Sequence, residues 1–172
     1  MRAASCVLVA LVVLEAGIAV PLGAQTQPST LTITGGAAST FPSPSGSDFG
    51  APWFYNPTPL TFTASIHRNG GTGTTRVITV ELCATNATLG NGKPLIDLEF
   101  SPVSTTSYRA ITNNCAGGIS AQRVIVSQSV ATDASGNASV SDGALFRMHL
   151  NVGDAGPTYG TAIQLIYTVA KP

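Results

Sequence analysis

The sequence predicts an all-β protein, an antiparallel β-sandwich of seven or eight short strands, and three observations carry that expectation. From residue 59 onward apolar and hydroxyl-bearing residues alternate with period two. Clusters of Gly, Asn, Asp and Pro separate these runs at intervals that suit turns. No long segment carries the Glu, Lys and Leu periodicity of an amphipathic helix. Strands with one apolar and one hydroxylated face bury a single side, so two sheets stacked face to face satisfy all of them. A small closed β-barrel meets the same pattern, because strand number alone does not separate the two.

Residues 1–24 have the order of a secretory signal peptide: one positive charge at Arg2, an apolar run from Ala3 to Leu14, then Pro21 and the small-residue exit Leu22-Gly23-Ala24. Glu15 interrupts the run, whereas a bilayer core asks for about 20 apolar residues. Cleavage is therefore expected after Ala24, with no membrane insertion of the mature chain. Cys6 precedes the end of the apolar region and leaves with the signal. The mature chain, 25–172, has the size of one domain: an N-terminal strand and long loop over 25–58, then the sandwich body over 59–172.

The elements come in order. Leu31 and Ile33 alternate with Thr30, Thr32 and Thr34 in a short strand closed by Gly35-Gly36. A loop rich in Pro and Gly leads to "GAPWFYNPTP", and the segment from Phe41 to Tyr55 holds five of the eleven aromatic residues. "PLTFTASIHR" and "TTRVITVELCAT" are each strands, and the Asn69-Gly70 dipeptide between them suits a hairpin. The next strand places Ile96, Leu98 and Phe100 inward with Asp97 and Glu99 outward, and a weaker one carries Tyr108. Val124, Val126 and Val130 alternate with Ile125, Ser127 and Ser129; Asp133, Gly136 and Asn137 form a turn. Ala144, Phe146, Met148, Leu150 and Val152 share a face, as do Ile163, Leu165, Tyr167 and Val169 in the last strand.

Charged residues make up 9% of the chain, eight acidic against eight basic, where about 25% is ordinary. With no basic cluster to neutralise phosphates, nucleic acid is not an expected partner. Cys83 and Cys115 are the only cysteines beyond the signal, and an even pair in an exported chain reads as a disulfide. His67 and His149 stand at no metal-ligand spacing, so no metal or cofactor is expected.

Chemistry-bearing residues are few. No serine elbow is present, and either histidine could join a catalytic set only through the fold. Asp97 and Glu99, two apart on one strand face, are the one carboxylate pair suited to a hydrolase, against the plainer reading of a solvated face. Asp133, Ser135, Asn137 and Asp142 echo an oxygen-ligand loop but lack its closing Glu. Asn86 and Asn137 match the N-glycosylation sequon. Trp53, Phe54 and Tyr55 remain as the candidate binding residues. Rings fenced by prolines make rigid surfaces for sugars or protein partners, or else plug an open end of the core.

The alternating strands and single cysteine pair over roughly 59–170 resemble bacterial secreted immunoglobulin-like domains of the fimbrial-subunit and adhesin-module type. The resemblance implies an immunoglobulin-like β-sandwich and a strand-donation role for "TLTIT", with Leu31 and Ile33 entering pockets of a neighbouring subunit. The chain ends "VAKP", without the penultimate aromatic residue of such subunits. The expected function is a non-enzymatic structural or adhesive role at the cell surface or in the periplasm, with protein subunits or surface glycans as partners. A carbohydrate-binding module using the aromatic loop is the alternative, and a secreted hydrolase ranks last.

Overall fold

The computed structural model describes residues 29–35, 41, 44–67, 73–88, 93–115, 118–151 and 163–170. The expected signal peptide, the Asn69-Gly70 turn, Val152 and the turn after it lie outside the described residues. Nine strands are described: β1 (Ser29–Gly35), β2 (Phe54–Tyr55), β3 (Leu60–His67), β4 (Thr75–Ala84), β5 (Leu98–Pro102), β6 (Arg109–Ala110), β7 (Val124–Ala131), β8 (Asn137–Met148) and β9 (Ile163–Ala170). They form two antiparallel sheets. The large one has the order β1-β3-β8-β5-β6 with β2 also on β8, and the small one the order β7-β4-β9.

The core is what the alternation implies. Leu60, Phe62, Ala64 and Ile66 of β3 are buried in strict alternation with their half-buried hydroxyl neighbours. With Leu98, Phe100, Val140, Ala144, Phe146 and Met148 they oppose Ile78, Val80, Leu82, Ile163, Leu165 and Tyr167 of the small sheet in one cluster. Each such side chain contributes roughly 1.5–3 kcal/mol by leaving water. The two-sheet sandwich is thus as expected, with nine strands because two are only two residues long.

Several details differ from the sequence reading. β3 and β4 are not a hairpin. β3 pairs with β1 and β8, and β4 pairs with β7 and β9 in the other sheet. The physical reason is that every residue of β4 from Ile78 to Ala84 is buried, so this strand belongs at the centre of a covered sheet, whereas β3 keeps a wet face. Ile96 does not point inward: Leu95–Asp97 form a 3-10 turn after Pro94, which breaks period two, buries Leu95 and leaves Ile96 69% exposed. Tyr108 lies just before a strand that is only Arg109–Ala110. In β7 the register shifts opposite Val80 and Glu81, and the extra residue, Ile125, is buried while Val126 and Val130 pack partly against the core. The turn before β8 ends one residue early. Asp133 Oδ1 accepts the N–H groups of Ser135 (2.9 Å) and Asn137 (2.8 Å), Gly136 takes φ 81°, and Asn137 already begins the strand.

The outer face of β4 is covered by residues 114–115 and 118–123. Cys83 and Cys115 are joined as expected, with Cα atoms 5.5 Å apart and a sequence separation of 32; closing such a loop is worth about 3–4 kcal/mol in the chain-entropy model. Beside the bridge, Glu81 and Arg123 form an ion pair at 3.1 Å, each side chain only 4% exposed. Glu81 Oε1 also accepts the Ser120 N–H at 2.8 Å. The rest of the Arg123 guanidinium donates to the carbonyls of Asn114 and of Gly118, the latter at 2.6 Å. No helix among the described residues is long and apolar enough to cross a membrane.

This packing sets the expected outcome of two stability measurements. A Cβ at Gly143 would stand 2.4 Å from the Leu60 carbonyl oxygen, so Gly143→Ala is expected to lower the urea-unfolding free energy by about 1–3 kcal/mol. Glu81→Ala leaves the Arg123 charge buried without its carboxylate. A loss of about 3–5 kcal/mol is expected by the same measurement, well beyond that of an exposed control such as Ser129→Ala.

Candidate functional site

The register of three strands builds one outward-facing row. Tyr55 of β2 stands opposite Arg147 of β8, and Arg147 opposite Glu99 of β5. Their neighbours Phe54, Met148 and Leu98 are buried, so period two sends the row to the other face of the sheet. From β2 into β3 the chain keeps its direction along β8, interrupted just after Tyr55. There the Asn56 N–H donates to the Phe146 carbonyl (3.0 Å) and Asn56 Oδ1 accepts the Thr58 N–H (2.9 Å), a local turn that Pro57 and Pro59 flank.

Arg147 is the centre of the row. Its Nε and Nη2 lie 2.7 and 2.5 Å from one oxygen of Glu99. Its guanidinium carbon sits 3.9 Å from the centre of the Trp53 ring and 4.2 Å from that of Tyr108. A guanidinium is planar and weakly hydrated, so it stacks where an ammonium would resist dehydration. Tyr55 meets Tyr108 edge-on with centroids 6.0 Å apart, and His149 meets Trp53 edge-on at 5.8 Å. The result is a ring–cation stack with Tyr55, 51% exposed, at its outer side.

The electrostatics agree with this order. Burial favours neutral Arg147, but its hydrogen bonds to Glu99 and Tyr55 and their charges outweigh burial and hold its pKa above the ordinary arginine value. The Tyr108 phenol is pushed above the ordinary tyrosine value, first by burial and then by Tyr55, with Arg147 opposing. Tyr108 comes after a strained turn: Thr106, a β-branched residue, takes φ 49°.

The aromatic triplet is therefore divided by the strand period. Phe54 is a plug, 9% exposed and stacked on buried Phe41 with centroids 5.8 Å apart. Trp53 is half-buried under Arg147, and Tyr55 is the exposed ring. Sequence reasoning did not connect Tyr108, Arg147 and His149 with them. The only signal was the placement of Arg147 and His149 on the polar side of the "GALFRMHLNV" alternation.

The other candidates lie apart. Asp97 and Glu99 do not act as a pair, because the 3-10 turn takes Asp97 out of the strand. Asp97 binds Lys93 at 2.9 Å, while Glu99 binds Arg147. His67 Nδ1 is 2.8 Å from Asn137 Oδ1 at the far end of β3. Leu31 and Ile33 stand opposite Ala64 and Phe62 of their own chain's β3, and Leu31 is buried in its own core. Asn86 and Asn137 are both exposed. Among the described residues no three His, Cys, Asp or Glu side chains converge as metal ligands.

Arg147→Met removes the charge and keeps the side-chain bulk. In a spectrophotometric titration the Tyr108 transition is expected to move further up, since the cation opposes the Tyr108 shift. A phenol whose pKa is raised in the folded state makes the fold less stable as pH climbs above the ordinary tyrosine value. The decline should therefore start at alkaline pH and be smaller in Tyr108→Phe.

Compared with protein-family models and with curated proteins, the chain matches none.

Proposed function

We propose that this chain is an exported, non-enzymatic β-sandwich with a structural or adhesive role at the cell surface or in the periplasm, and that the stack around Arg147 is the surface it presents. The observation that carries this reading is the exposed Tyr55 ring, held rigidly beside Tyr108 and a charge-neutralised arginine. Trp, Tyr and Arg are the residues that dominate binding energy at protein contacts, because they offer large area at low entropic cost. The signal-like N-terminus and the disulfide support export. Resemblance to secreted immunoglobulin-like subunits supports a role in assembly, although donation of β1 to a neighbour would first require Leu31 and Ile33 to leave β3.

A carbohydrate-binding module is the second reading, favoured by the open side of Tyr55 and by polar Arg147 and Glu99 in its row, with His149 against Trp53. It would use Tyr55 more than Trp53, whose face already carries the guanidinium.

Cell fractionation and surface labelling test the location. For the site, purified mature protein is expected to adhere to the envelope of the producing cell. Tyr55→Ala should weaken adhesion about tenfold or more with unchanged circular dichroism and melting temperature. Equal adhesion of the variant would remove the patch from the reading, and retention in the cytoplasm would remove the role itself.

A further inference from the structure

The large sheet carries a second feature on the same outer face. Cross-strand register aligns Thr30, Ser65 and Ser139 in one row and Thr32, Thr63 and Ser141 in the next. A third row begins with Thr34, whose hydroxyl donates to that of Thr61 at 3.1 Å. Thr63 and Ser141 share a hydrogen bond of 2.8 Å. The β1 and β8 members of these rows are exposed and the β3 members half-buried between them. The result is a grid of hydroxyls at about 4.8 Å across strands and about 7 Å along them, with no titratable group among its eight members. β8 runs through the grid and on to Arg147 without a register shift, so the distance from Ser139 to the Tyr55–Arg147 pair is about 27 Å.

We propose that this face binds a neutral polysaccharide, with the hydroxyl rows of β1, β3 and β8 as its length and Tyr55 as the ring that stacks on a sugar at one end. The proposal rests on the adhesive reading above and names the partner class. Each hydroxyl both donates and accepts, so the grid matches a ligand dense in the same groups and free of charge. A protein partner would need a larger apolar centre than Val103 and Leu145, which lie between the grid and Tyr55, provide. Nucleic acid would need cations across it. A lattice of ordered water would need a flat face, whereas neighbouring strands rotate by about 20–25°.

The test is depletion binding of the purified mature protein to suspended cellulose, chitin and starch granules, with alginate as a charged control and a growing ice surface as another. Retention on at least one neutral polysaccharide, and not on alginate, is expected. Ser139→Lys and Ser141→Lys, both at exposed positions, should each weaken it about fivefold or more, as should Tyr55→Ala. The hydroxyl-deleting Thr32→Val, which keeps the strand's shape, should weaken it in the same direction. Binding to no polysaccharide while cell adhesion still depends on Tyr55 would overturn this proposal and leave the adhesive reading standing. Binding that only Tyr55→Ala affects would overturn the grid's part in it. Incorporation into ice without polysaccharide binding would assign the face to ordered water instead.

Discussion

Strand β4 is buried on both faces, and the second burial includes a carboxylate. Glu81 can occupy that position because Arg123 neutralises it, and Arg123 can do so because its remaining N–H groups find the Asn114 and Gly118 carbonyls. Those carbonyls belong to a segment that the Cys83–Cys115 bridge holds against the same strand. Bridge, ion pair and loop support one another on this face of β4, since removing Glu81 leaves the Arg123 charge buried without its carboxylate. The small sheet has three strands among the described residues, and without this cover its central strand would be wet on one side.

The large sheet is organised by β8 in a different way. Its first part pairs with β3 and its last part with both β2 and β5. The patch forms at that second part, where three strands bring outward residues into one row. At the sheet's far edge Arg109 lies over Phe100, 4.9 Å from the ring centre, and donates to the Val124 and Ala121 carbonyls. This ties β6 to β7 and fixes the sheet that carries Tyr108. The backbone beneath the stack is thus anchored to both layers of the sandwich.

Much of the fold was legible because period two is a local property: Leu60 to Ile66 and Ala144 to Leu150 show it without reference to any neighbour. The disulfide was legible because, with Cys6 assigned to the expected signal peptide, one pairing remained. Pairing between strands was not legible. An Asn-Gly turn suggests a hairpin, but whether the next strand stays in the sheet depends on how its second face is covered, and that depends on Arg123, more than forty residues away. The site was half legible for a related reason. Trp53 and Tyr55 announce themselves as rings, while Arg147 and Glu99 become neighbours only through the β2–β8–β5 register. Ile96 misled because a 3-10 turn after Pro94 interrupts the alternation that would have buried it.

The stack also bears on which ligands the patch admits. Rings that enclose a positive charge are the usual receptor for cationic ligands, but here the enclosure already holds the chain's own guanidinium, tethered by its strand and by Glu99. A free ammonium or methylated amine would have to displace an occupant that never diffuses away, at an effective concentration of millimolar or more. Self-occupancy thus acts as a filter. On the binding role proposed above, the filled cage disfavours cations and leaves the exposed outer side of Tyr55 for a ligand without charge.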